Sequence, residues 1–387
     1  MNITGIIAEY NIFHNGHKYQ IDEIKKHSDA VIAVMSGSFV QRGDVAITDK
    51  WSRAKTALLG GVDLVIELPV CYALNAAPNF ATGGINILNA LGVVNNICFG
   101  SESGSIDELM SAAELLENEN SEISKKIKKY VMDGMSYPNA LTKAYSALIP
   151  SDILSEPNNI LATEYIRALI RSDSKIKPMT VKRHKAGYHD RNLYQNIASA
   201  TKLREMSRNN ENINDFIPYK LEDIDCDIPY DISNLDSAII SKLRLMTAED
   251  LQNISEVTEG IENRILSSAN MSYSFETLVE NVKNKRYTTS KIRRMIISAL
   301  IGFTKDIYSP MPQYIRILGM NKVGMKILKQ AKDTCKVPII TKTADFKEQS
   351  PQFNLDVRAT NIAILCNPIP THRIGNADLK KSPIIMK

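Results

Sequence analysis

The chain has 387 residues, 44% of them hydrophobic and 23% charged, with a formal charge of only +4. That balance predicts a globular protein of two or three domains and excludes a polycation that coats nucleic acid over its whole surface. The most hydrophobic stretch, Val62 to Ala77, is interrupted by Asp63, Glu67 and Pro69, and the N-terminus lacks a secretory pattern, so a cytoplasmic protein with no membrane span is expected.

In chain order, Ile3–Ala8, Ala30–Met35, Leu64–Leu68 and Asn96–Phe99 read as short buried strands. Between them, Lys18–His27, Trp51–Leu59 and Phe80–Leu91 carry apolar residues at helical spacing. Repeated βα units predict an α/β fold with a doubly wound parallel sheet, Rossmann-like, whose ligands sit outside the carboxyl ends of the strands. Those ends carry Glu9-Tyr10-Asn11, Ser36-Gly37, Glu67-Leu68-Pro69 and Gly100-Ser101-Glu102.

After the first strand comes Phe13-His14-Asn15-Gly16-His17. A strand passing straight into a helix leaves N–H groups aimed at the crevice, where the helix dipole favours an anion. Gly16 lets phosphate approach the backbone, and His14 and His17 would donate to phosphate oxygens as charge builds on departing pyrophosphate. Either ring could do so neutral or protonated. The competing reading is a metal fragment, but no carboxylate or cysteine stands at ligand spacing, and the other histidines are His27, His184, His189 and His372. The five cysteines, Cys71, Cys98, Cys226, Cys335 and Cys366, form no C-x-x-C pair and read as reduced thiols.

The loop Ser36–Asp44 is either a mobile flap whose Arg42 reaches phosphate or a carboxylate, or a solvated loop. Gly100 either admits a base or ribose close to the backbone or is a turn glycine. Helices are expected at Glu108–Asn118, Glu122–Asp133, Asn139–Leu148 and Asn159–Ile170, with Asn158 as a cap or a nucleotide contact. After an extended run, Lys177–Arg183, the segment Ser199-Ala200-Thr201-Lys202-Leu203-Arg204 opens a helix with hydroxyls and an arginine one turn on. Alone it is an N-cap with a surface arginine; paired with the histidine turn it becomes a second anion cradle. Eight Lys/Arg between Lys177 and Arg208 face only Asp190 and Glu205.

Together the two cradles resemble the paired signatures of the nucleotidyltransferase superfamily. More narrowly, Glu9 to His17, Met35-Ser36-Gly37 with Gln41-Arg42-Gly43, Gly61 to Pro69, Phe99 to Glu102, Pro157 to Leu161, Lys285 to Thr288 and Tyr314 to Met320 resemble the bacterial tRNA(Met) cytidine acetate ligase family. Ile12 stands where that family has proline and Asp44 where it has glutamate. The resemblance implies that acetate attacks the α-phosphate of ATP, and that N4 of the wobble cytidine of elongator tRNA(Met) then takes the acetyl group. It further implies nucleotide contacts at Ile7, Ala8, Glu9, Tyr10, Asn11, Phe13, His14, Asn15, Gly16, His17, Gln20, Gly100, Asn158, Arg183 and His184. Thr201 and Arg204 would hold the pyrophosphate end, Ser36 and Arg42 are candidates for acetate, and Mg²⁺ is expected on the phosphates without a protein ligand.

In the C-terminal half, Lys283, Lys285, Arg286, Lys291, Arg293 and Arg294 surround Tyr287 with no acid among them. Such a basic run with an aromatic fits phosphate neutralisation and base stacking, or else a solvated helix face. Helical segments Asn234–Met246, Thr258–Ser268, Phe275–Val282 and Lys291–Ile301 suggest a helical, tRNA-binding domain. Val337–Thr343 and Ile362–Cys366 read as strands of a small α/β end unit. The resulting division is an ATP-binding domain over 1–210, the helical domain over 211–310 and the end unit over 311–387. Rival classes are a small-molecule adenylyltransferase and a non-catalytic RNA-binding protein.

Overall fold

The computed structural model describes residues 1–183, 197–224, 228–258, 260–348 and 350–387. Its centre is a sheet built from β1 (Ile3–Ala8), β2 (Ala30–Ser36), β5 (Leu64–Leu68), β6 (Asn96–Ser101) and β7 (Lys177–Lys182), joined by β8 (Ile315–Met320) and β10 (Ile384–Ile385). The small strands β3 (Phe39–Val40) and β4 (Asp44–Val45) pair with each other, and β9 (Ile339–Ile340) pairs with β8. Across the sheet the order is β10-β8-β5-β2-β1-β6-β7. The chain winds outward from β1 through β2 to β5, then returns to β1's other side as β6. Between β1 and β6 lies the point where the winding reverses, and a crevice opens there beyond the strand ends.

Both faces of the sheet are covered, which is why these strands read as unbroken apolar runs. Ile3, Ile7, Ile32, Val34, Leu64 and Ile66 pack on one side, while Ile6, Tyr10, Val31, Ala33, Met35 and Val65 pack on the other. On the second side lie helix α1 (Asn15–Lys25), which buries Ile21 and Ile24, and helix α2 (Lys50–Leu59), whose first N–H groups are accepted by the Asp49 carboxylate.

The C-terminal segment departs from expectation. Its principal strand is β8, which pairs antiparallel with β5 and so extends the N-terminal sheet instead of founding one of its own. Only Ile339–Ile340 of the expected strand 337–343 is extended, and Ile362–Cys366 is the end of helix Pro351–Ala363 with a following 3-10 turn. A five-residue apolar run carries no period that separates a buried helix end from a strand. β8 is held by charge as well as by its ladder. Arg316, 2% exposed, reaches Glu67 of β5 at 3.4 Å and pairs with Asp378. Lys50 of α2, fully buried, lies 2.6 Å from Glu67 and 2.7 Å from Asp378. Two cations and two carboxylates thus neutralise one another out of water.

Between these parts the chain is helical, with Asp236–Arg244, Ile261–Met271, Phe275–Val282 and Thr289–Ile301 packed together. Among the described residues no helix is long and apolar enough to cross a membrane.

Candidate nucleotide site

The connection from β1 to α1 ends in an N-cap made by an imidazole. His14 has extended backbone and its Nδ1 accepts the Gly16 N–H at 3.0 Å, while the His14 N–H donates to Nδ1 of His17 at 3.2 Å. Two orphan donors of the first turn are thereby satisfied reciprocally, the role usually given to Ser/Thr and Glu. The rings stack at 3.8 Å and 21°. A Cβ on Gly16 would stand 2.9 Å from Cε1 and 3.0 Å from Nδ1 of His14, so glycine is required there to admit the ring.

The protonation left open by the sequence now follows. Burial, followed by the charges of Arg183 and Arg204, lowers His14 from 6.5 to about 4. Burial, His14 and Arg183 hold His17 well below its ordinary value. Both rings are therefore neutral near pH 7, and since each Nδ1 accepts from a backbone N–H, each proton sits on Nε2. The pair offers two N–H donors without a titrating charge.

His14, Gly16 and His17 form one wall of a cleft at the winding reversal. Gly100 and Glu102 follow from β6, Lys182 and Arg183 from β7, Asn158 from helix Pro157–Arg171, and Ile197 to Ser199 from the approach to helix Ala200–Arg208. Arg183 lays its aliphatic stem over Gly100, where a Cβ would stand 3.1 Å from Cγ. Gln20 lines the same cleft and donates to the Cys98 carbonyl. Thr201 and Arg204 open instead into an adjoining cleft, with Arg42, Asp44, Arg208 and Arg293. Arg204 links the two, because it donates both to the Asn11 carbonyl of the histidine turn and to Thr201 Oγ1 at 3.0 Å.

Other expected residues shape the site without lining the first cleft. Ile7, Tyr10 and Phe13 turn their side chains into the cores, which removes them as side-chain contacts to a nucleotide. Ala8 is the last residue of β1. Glu9 accepts the Gln41 N–H at 2.9 Å, Asn11 accepts that of Ile47 at 2.7 Å, and Asn15 donates to the Asp215 carbonyl at 3.0 Å. His184 lies outside the described residues. Ser36 is fully buried, with a hydroxyl that has no partner among the described residues and is not part of either cleft's lining, while Arg42 reaches Thr201 Oγ1 at 3.4 Å.

The loop Ser36–Asp44, read as either a flap or a solvated loop, is a packed hairpin, with Phe39, Val40 and Val45 buried. Its turn is clamped by the basic helix. Gly43, at φ +73°, abuts Arg293 and the Arg294 backbone so closely that a Cβ would stand 2.6 Å from either. Arg293 donates to the Gly43 carbonyl at 3.2 Å and to Glu276 at 2.6 Å. Arg294, 7% exposed, forks onto Glu256 and donates to the Gln41 carbonyl at 3.1 Å, so it is a buried clamp and is removed from the nucleic-acid candidates. Nor is the basic run one helix: Lys283, Lys285, Arg286 and Tyr287 lie in the connection between Phe275–Val282 and Thr289–Ile301, and Lys291, Arg293 and Arg294 lie in the first turns of the latter. Lys283, Lys285 and Arg286 are exposed, Tyr287 is half-buried, and Lys291 lies 5.1 Å over its ring. The sequence reading missed Tyr19, Glu102, Glu156 and Lys182 as cleft residues; of these only Glu102 carried a signal, as a strand-end carboxylate.

The comparisons with known proteins agree with this arrangement. The model of the HIGH Nucleotidyl Transferase family matches residues 1–378. The tRNA(Met) cytidine acetate ligase of Clostridium novyi is 40% identical, and that of Thermosipho africanus 37% identical, each over 100% of both chains. A crystal structure of Thermotoga maritima TmcAL bound with alpha-thio ATP superposes with a TM-score of 0.90 at 32% identity over 100% of both chains, as does its apo form. From residue 1 to the terminal strand that completes its sheet, this chain belongs to the tRNA(Met) cytidine acetate ligase family of HIGH nucleotidyl transferases.

Proposed function

We propose that this chain uses ATP to ligate acetate to N4 of the wobble cytidine of elongator tRNA(Met). The observation that carries the reading is the pair of neutral, Nδ1-anchored histidines at the winding reversal, with Arg183 beside them and Arg204 reaching the same turn. An acetate oxygen attacks the α-phosphorus and the bond to the β-phosphate bridge breaks, giving acetyl-adenylate and pyrophosphate. The Nε2–H groups of His14 and His17 stabilise charge on the transferring phosphates, and Thr201 with Arg204 holds the leaving end. The cytidine amino group then attacks the acetyl carbonyl, loses one proton and expels AMP. The adjoining arginine-lined cleft, between the histidine turn and the helical part, suits an approaching phosphate backbone, and the exposed Lys283, Lys285 and Arg286 extend that surface. Mg²⁺ would be carried on the phosphates. The setting is the cytoplasm, where ATP and tRNA meet.

The test is to incubate the protein with ATP, labelled acetate and a tRNA(Met) transcript and weigh the digested nucleosides. N4-acetylcytidine is expected; ATP consumption with label appearing on a small-molecule acceptor would favour the adenylyltransferase reading instead.

A further inference from the structure

Beside its donors the cleft is also lined by a carboxylate and an amide, Glu102 and Asn158. Helix Pro157–Arg171 starts there without a side-chain cap from its own N-cap residue, Glu156. The missing acceptor comes from the end of β6, where the Glu102 carboxylate takes the Asn158 N–H at 3.3 Å and the Asn159 N–H at 2.8 Å. In return the fully buried Asn159 accepts the N–H groups of Glu102 and Ser103 at 2.9 and 3.1 Å. Glu102 is thus fixed from both sides.

The same carboxylate also receives the Asn158 side-chain amide, Nδ2 to Oε1 at 2.6 Å. An ionised carboxylate can only accept, so the NH₂ end of Asn158 must face it and the carbonyl Oδ1 must face the other way. Asn158 lines the cleft, and its Oδ1 receives no hydrogen bond among the described residues. From this geometry we infer that Glu102 is a positioning residue that locks Asn158 as an acceptor, making the cleft selective for a nucleotide that presents a hydrogen-bond donor there. The donor is a ribose hydroxyl or the exocyclic amine of adenine. His14, His17 and Arg183 offer donors to the phosphates, and Asn158 offers an acceptor to the nucleoside part.

This inference rests on the ATP reading above. Calorimetry on the full chain measures dissociation constants for ATP, 2′-deoxy-ATP, 3′-deoxy-ATP and purine riboside triphosphate, which lacks the 6-amino group. The unaltered protein should bind at least one analogue about tenfold more weakly than ATP, the effect of one lost hydrogen bond, and the identity of that analogue names the donor. Glu102→Gln can offer its own NH₂ and frees Asn158 to turn over, so the ratio should fall to about threefold or less, chiefly through weaker ATP binding. Asn158→Ala retains the backbone N–H groups that Glu102 caps, and should collapse the same ratio even if Glu102→Gln folds poorly. Equal binding of all four nucleotides by the unaltered protein, or an undiminished ratio in either a folded Glu102→Gln variant or Asn158→Ala, overturns the inference while leaving the ATP reading intact. No binding of ATP overturns both.

Discussion

Acidification should expose the burial of the histidine pair directly. An imidazole that titrates at 6.5 in the unfolded chain and at about 4 in the fold is neutral in both states above 6.5, so its contribution to stability is then complete. As pH falls, the unfolded chain takes up the proton first and the folded state loses ground, by about 2 kcal/mol at pH 5 and about 3 kcal/mol at pH 4, when the loss is nearly full. His17 moves in the same direction and adds to it. The perturbation to test is His14→Asn, which keeps an acceptor for the Gly16 N–H, since asparagine is a good N-cap, but removes the titrating ring. Urea unfolding at about pH 7 and about pH 5 gives the stabilities of both proteins. The unaltered chain should lose about 2 kcal/mol more than the variant over that interval. Equal losses would mean that His14 titrates normally in the fold, and the neutral-donor account of the site would fail with it.

Gly16→Ala drives a methyl against the His14 ring and should lower ATP–pyrophosphate exchange about 10²- to 10³-fold, as when one preorganised donor is lost, with tRNA affinity measured by filter binding unchanged. Arg294→Met leaves the partly buried Glu256 carboxylate without its partner and should cost about 1–3 kcal/mol in denaturant unfolding. By contrast, Arg286→Ala should leave stability alone, weaken tRNA binding and reduce the salt dependence of the affinity by about one phosphate contact; an unchanged salt slope would remove Arg286 from the RNA surface. Asp378→Ala leaves Lys50 and Arg316 sharing only Glu67 and should cost about 3–5 kcal/mol, seen as a lowered Tm.

What could be read from the sequence was local. The turn Phe13 to His17, the cap at Ser199 and the apolar runs of β1, β2, β5 and β6 declare themselves within a few residues, because capping, period and strand length are short-range properties. Long-range pairing left no such mark. β8 lies beside β5 across some 250 residues of intervening chain, and Arg316 inside it looks like a surface break in an apolar run until Glu67 and Asp378 are seen. The same blindness affected the basic run. Arg293 and Arg294 appeared to have no acids near them because Asp44, Glu256 and Glu276 come from elsewhere in the chain. Glu102 was visible as a strand-end carboxylate, yet only its three N–H donors reveal which way the neighbouring amide faces.

The antiparallel entry of β8 next to β5 also sets an order of events during synthesis. As the chain leaves the ribosome from its N-terminus, β1, β2, β5, β6 and β7 have all emerged by residue 182, whereas the outer edge of β5 stays unpaired until residues 315–320 follow. Lys50 waits longer still for Asp378, and β10 completes the edge at 384–385. For most of translation the nascent protein therefore carries a bare, apolar strand edge, with Lys50 paired to Glu67 alone. That interval is where aggregation or a holding chaperone would compete with folding.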